Sequence, residues 1–140
     1  MNKELIAPCG MNCGLCSGYL AHTKGIPKKR GKISHCIACR PRNKQCAYLK
    51  GHCTLLRDRK IDFCFECSEF PCDRLSHTDK RYRNNFNMSL IKNLYEIRSI
   101  GLDAFIERQI EKYKCPNCGD VICAHNGKCY NCDVIENWRV

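Results

Sequence analysis

The chain lacks any apolar run long enough to cross a bilayer: in 140 residues the longest apolar segments are broken every few positions by charge, whereas a span needs about 20. No membrane-spanning helix is expected, and the protein should be soluble. Met1 to Cys16 carries no apolar stretch with a basic flank and a small-residue cleavage site, so the expected location is cytoplasmic. No repeat of fixed period and no low-complexity tract is present. Acid is scarce in one stretch, because residues 24 to 60 hold twelve Lys and Arg against the single acid Asp58. The remainder has twelve basic and thirteen acidic residues. Aromatic residues are scarce there as well, Tyr48 being the only one, so the stacking platform of a single-strand reader is missing.

Cysteine is abundant, with 15 in the chain. Such density is either a disulfide framework or a set of metal ligands. Without an export signal, metal is favoured. A structural zinc supplies ~10 to 16 kcal/mol of apparent free energy, comparable to the net stability of a whole domain. The expected fold class is therefore small, metal-stabilised, loop-rich α+β: a Cys-rich metal-binding module over residues 1–75, a helical connector over 76–114 and a zinc ribbon over 115–140. The formal charge of +10 counts thiols as neutral. Each site of four thiolates and one divalent metal nets about −2, so three would leave about +4.

The C-terminal pattern is Cys115-Pro-Asn-Cys118, ten intervening residues, then Cys129-Tyr-Asn-Cys132. Two residues between cysteines let the backbone turn tightly enough for both sulfurs to reach one ion, and two such knuckles at the ends of a hairpin make a tetrahedral site. Gly119 and Gly127 supply turn freedom, and Val121-Ile122 reads as a short strand. Cys123 and His125, between the knuckles, read as packing or solvent-facing residues and not as ligands.

The N-terminal set runs Cys9, Cys13, Cys16, Cys36, Cys39, Cys46, Cys53, Cys64, Cys67 and Cys72. Ten thiols suffice for two four-sulfur sites, with His22, His35 and His52 as alternative donors; spacing alone does not partition them. Together with the ribbon this gives about three Zn2+ per chain. The competing reading is an iron-sulfur cluster within residues 9–72 plus one Zn2+, with an electron-transfer or redox-sensing role. The ferredoxin run Cys-x2-Cys-x2-Cys-x3-Cys-Pro is absent, since Pro71 precedes Cys72. Cys9-x3-Cys13-x2-Cys16 also matches the cluster motif of radical enzymes using S-adenosylmethionine, but the chain has neither the length nor the strand-helix alternation to enclose a substrate. No cysteine and histidine stand apart as nucleophile and base, so no catalytic residue is identified.

In the middle region, Ser89 reads as an N-cap before Leu90, Ile91, Leu94, Tyr95 and Ile97, with Gly101 as the stop. A second helix reads as capped by Asp103, with Phe105, Ile106, Ile110 and Tyr113 on one face. Arg81 to Asn87 reads as a polar connector. The basic residues, including Lys28-Lys29-Arg30 and Arg40-Pro41-Arg42, suit either nucleic-acid phosphates or charge balance for anionic metal sites. The expectation is a binding or adaptor module for a protein or nucleic-acid partner.

Ala7-Pro8-Cys9-Gly10-Met11-Asn12-Cys13-Gly14-Leu15-Cys16, with Tyr19-Leu20-Ala21 following, and Phe63-Cys64-Phe65-Glu66-Cys67-Ser68-Glu69-Phe70-Pro71-Cys72 together resemble a prokaryotic cysteine-rich family, domain of unknown function 3795. The resemblance covers residues 7 to 75, and members with a C-terminal ribbon after a helix are also similar to residues 97 to 132. It places Cys9, Cys13, Cys16, Cys36, Cys39, Cys64, Cys67 and Cys72 on the family's cysteine positions. Between Cys53 and Cys64 this chain departs, reading Leu55-Leu56-Arg57-Asp58-Arg59-Lys60 where the family carries another cysteine. The resemblance implies metal binding and no assigned activity.

Overall fold

The computed structural model describes residues 1–42 and 53–137. Cys46, His52, Tyr48 and Trp138 lie outside the described residues, as do Lys44 and Lys50 of the basic segment. Six α-helices are described: α1 (Ser17–Thr23), α2 (Cys39–Arg42), α3 (Thr54–Arg57), α4 (Asp73–Phe86), α5 (Leu90–Ile100) and α6 (Leu102–Lys112). Short 3-10 turns at Cys13–Leu15 and Cys64–Glu66 carry cysteines. The fold is helix-rich. Its β component among the described residues consists of isolated antiparallel bridges: Ile6 with Asn12, Lys29 with Ile33, Lys114 with Val121 and Ile122 with Cys129.

Helix α4 overturns the reading of residues 81 to 87 as a connector, because all but Asn87 are helical. Its buried face is Leu75, Thr78, Asp79 and Tyr82, spaced as one helical stripe. Two of those four are polar, which hid the periodicity. Asn87 then ends the helix in the left-handed region at φ 50°, a conformation that Asn tolerates better than most residues.

Asp79 explains why a polar residue sits inside. Its carboxylate accepts from the Ile91 amide at 3.0 Å, Ser89 Oγ at 2.8 Å and Arg83 Nε at 2.8 Å. Burial opposes its charge, yet these donors hold the carboxyl below its usual range. The end of α4 is thereby fixed to the start of α5. Ser89 caps α5 as expected, its Oγ accepting from the Lys92 amide at 3.1 Å, and Gly101 stops it at φ 86°. The expected Asp103 cap is corrected: Gly101 takes the N-cap position of α6. Asp103 lies within the first turn, paired with Lys3 Nζ at 3.1 Å, where a carboxylate favours the positive end of the helix dipole.

Leu90, Leu94 and Ile97 of α5 are buried, and Phe105 and Ile106 of α6 pack with Ile97 and Ile6. Ile110 stays exposed. The Cys9–Cys16 loop lies directly on α5. A Cβ added to Gly10, at φ +90°, would meet Leu90 O at 2.7 Å, while Asn93 Nδ2 donates to Gly10 O at 3.0 Å. Only a residue without a side chain permits that approach. A further cluster joins distant parts of the chain: Leu20, Ala21 and Ile33 bury Cys123 and Tyr130.

Candidate metal centre

The C-terminal centre grows from the end of α6. Tyr113 O accepts from the Ile122 amide at 2.6 Å, so the chain doubles back after the first knuckle. Within that knuckle Gly119 N donates to Cys115 O at 2.9 Å, with Gly119 at φ 80°. The second repeats the logic. Gly127 N donates to Cys123 O at 2.8 Å and Asp133 N to Cys129 O at 2.8 Å, while Asp133 Oδ2 accepts from the Cys129 amide.

These turns gather Cys115, Cys118, Cys129 and Cys132, whose sulfurs all lie within 4.8 Å of one another. Cys118 and Cys129 are 3.5 Å apart. Four sulfurs about 2.3 Å from a shared zinc would stand about 3.8 Å apart in a tetrahedron, so the cage needs only slight adjustment to hold an ion. Cys115 and Cys129 are buried and Cys118 and Cys132 exposed. Donors already point at the sulfurs: Asp120 N to Cys118 at 3.5 Å and Asn117 Nδ2 to Cys132 at 3.3 Å. The Asp120 amide lowers the Cys118 thiol to about 6. Asn117 favours the Cys132 thiolate, but Cys118, desolvation, Cys129 and Cys115 together outweigh it and push that thiol up to about 12. Asp120 also pairs with Lys24, tying the knuckle to the end of α1.

Among the described residues no other group of three or more His, Cys, Asp or Glu ligand atoms is this close. The N-terminal thiols nevertheless fall into neighbourhoods that spacing could not assign. Cys64 N donates to Pro8 O at 2.9 Å, joining the two cysteine-rich blocks. Burial pushes the Cys64 thiol up, and Cys9, Cys53, Cys72 and Cys67 around it act in the same direction. Cys13 and Cys39 share a hydrogen bond that, with burial, pushes the Cys13 thiol up. Cys9, raised to about 12 by burial and then by Cys39, stands between these two groups. Cys16 has Cys36 and Cys123 beside it and is raised to about 11, mainly by burial.

Cys123 and His125 both pack. Cys123 is buried against Tyr130, whose hydroxyl hydrogen-bonds its thiol. His125 Nδ1 accepts from the Ser17 amide at 3.2 Å, and its ring stands edge-on to Phe86 at 4.7 Å between centroids. The proximity of Cys123 to Cys16 has no local signal, since 107 positions separate them. His35 Nε2 is engaged by Ile26 O at 2.6 Å.

The basic segment divides by role. Arg40 is structural: Nε donates to Ile6 O at 2.6 Å, Nη2 to Asp62 O at 3.0 Å, and the guanidinium lies over Phe63 at 4.8 Å. Arg42 Nη1 donates to Cys36 Sγ at 3.2 Å. Lys28, Lys29, Arg30 and Lys32 are exposed and line an open groove of about 660 Å³. The turn is fixed by paired bonds between Lys29 and Ile33 at 3.0 and 2.8 Å. None of the four has an ion-pair partner among the described residues. No helix among the described residues is long and apolar enough to cross a membrane.

Comparison with known proteins finds that the family model described as protein of unknown function (DUF3795) matches residues 5–77. No curated protein and no solved structure matches the chain.

Proposed function

Because the chain belongs to the DUF3795 family, whose description assigns no activity, we infer that its function follows from its own geometry: it is a zinc-holding binding module with no catalytic role. The observation that carries this is the cage of Cys115, Cys118, Cys129 and Cys132, with sulfurs within 4.8 Å of one another. Four cysteines with no open position make a structural site. Zinc suits it because a four-thiolate tetrahedral cage demands neither a redox change nor a d-electron geometry. The turns after Cys115 and Cys129 support reading this segment as a zinc ribbon. In the N-terminal module, Cys9, Cys13, Cys16, Cys36, Cys39, Cys46, Cys53, Cys64, Cys67 and Cys72 supply ligands for two further ions. Metal in both modules holds the fold of a small cytoplasmic protein.

The partner surface in this reading is the Lys28–Lys32 turn, whose cations meet nucleic-acid phosphates without base readout. Its support is that four exposed cations on a fixed turn have no acid partner among the described residues, a few residues from α1 and from the cluster of Leu20, Ala21, Ile33, Cys123 and Tyr130 that orients it. Zinc analysis tests the first part. Binding to a DNA duplex across a salt series tests the second: affinity that falls steeply with added salt fits phosphate contact, and no binding at low salt refutes it.

A further inference from the structure

A second cleft is lined by none of the four cage cysteines. It measures about 540 Å³ and lies between the end of α4, the start of α5 and α6. That volume falls in the range of small-molecule sites, about 300 to 1,000 Å³. Arg83, Lys92, Arg108 and Lys112 line it, with Glu96 as the one carboxylate among the described lining residues.

The two guanidiniums are held in place, each by a single carboxylate. Arg83 is bound through Nε by Asp79 at 2.8 Å. Arg108 is bound through Nη1 by Glu96 at 3.1 Å. The Nη groups of Arg83 have no partner among the described residues, and Lys92 and Lys112 have no acid partner there. Guanidiniums oriented in this way are suited to the planar, multi-donor recognition of phosphate oxygens.

Gln109 in the wall of the cleft is 5 % exposed and its Oε1 is closed to solvent, so the cations, and not this amide, are what the cleft offers a ligand.

We propose that this cleft binds a small molecule bearing a phosphate group, which lies among Arg83, Lys92, Arg108 and Lys112. The site is independent of the Lys28–Lys32 turn and of the metal ions.

The test is a 1H–15N titration of the metal-loaded full chain with inorganic phosphate, with adenosine monophosphate and with a DNA duplex. The expected result is saturable shifts at Met88, Lys92 and Lys112 with both phosphate and adenosine monophosphate. Reversing the exposed pair, Lys92→Glu with Lys112→Glu, weakens both by at least about tenfold and leaves the remaining spectrum folded. Shifts that do not saturate, or that are equally large at Lys28–Lys32, overturn the proposal, as does undiminished affinity in the charge-reversed protein. Tighter binding of the duplex that is lost in that same variant would assign the cleft to nucleic acid and overturn the small-molecule class.

Discussion

The Ser17 amide donates to His125 Nδ1 at 3.2 Å across 108 positions of sequence. This bond gives the first turn of α1 an acceptor in place of a side-chain cap, which α1 otherwise lacks. It also sets the imidazole edge against Phe86 of α4. Beside it, Ala124 N donates to Leu15 O at 2.9 Å. The loop between the two C-terminal knuckles therefore packs on the residues that follow Cys13 and Cys16.

His125→Ala should destabilise the protein by about 2 kcal/mol, through an unpaired amide and lost ring packing. Metal content should not change, because His125 is a packing residue and not a ligand. Urea denaturation with zinc analysis checks both. A loss of one ion would make His125 a ligand.

Asp79→Asn should cost about 2 kcal/mol by weakening the charge-assisted bonds that lock α4 to α5. The sign of its pH dependence follows from the lowered carboxyl. The stabilisation is fully present above the ordinary value of 3.8 and is lost as pH falls through the lower folded-state value. The stability difference between wild type and variant, followed by denaturation at decreasing pH, should shrink only in that acid range. A constant difference would mean the carboxylate charge contributes nothing.

Gly10→Ala and Gly31→Ala both place a side chain at positive φ, +90° and +72° respectively. Only Gly10 has a backbone oxygen, Leu90 O, at 2.7 Å from the added carbon, whereas Gly31 has nothing within 4 Å. Gly31→Ala should cost about 1 kcal/mol, the left-handed backbone penalty. Gly10→Ala should cost at least about 2 kcal/mol more, or prevent folding. Equal urea midpoints for the two variants would contradict the close packing of the Cys9–Cys16 loop on α5.

The two kinds of basic residue should separate experimentally. Arg40→Ala should lower stability by about 2 kcal/mol, because it removes donors to Ile6 O and Asp62 O. It should leave duplex affinity intact as long as the protein is folded. Substituting Lys28, Lys29 and Arg30 by Ala should leave the urea midpoint nearly unchanged and reduce the slope of log affinity against log salt by about 3. The reverse pattern would place the partner surface elsewhere.

Several features were legible in the sequence because their signals are local. The cage residues Cys115, Cys118, Cys129 and Cys132 are set by two-residue spacing, and the Ser89 cap and Gly101 stop by turn chemistry within one segment. The last part of α4 was not legible, since Thr78 and Asp79 occupy buried positions that a hydrophobic pattern scores as solvent-facing. Asp103 carries the chemistry of a cap, but Gly101 at positive φ already turns the chain into α6, leaving the acid to the first turn. The neighbourhoods of the N-terminal thiols were hidden for a different reason. Cys16, Cys36 and Cys123 are assembled by tertiary packing around α1, which spacing along the chain does not encode.

The central claim is that Cys115, Cys118, Cys129 and Cys132 hold zinc within a metal-stabilised fold. Elemental analysis with a visible absorption spectrum, on wild type and Cys118→Ser purified without air, tests it most directly. Structural zinc gives colourless protein with about three zinc ions per chain and about one fewer in the variant. Equal metal content in the two proteins would contradict the C-terminal site, and iron with a broad absorption near ~400 nm would replace structural zinc in residues 9 to 72 with an iron-sulfur cluster.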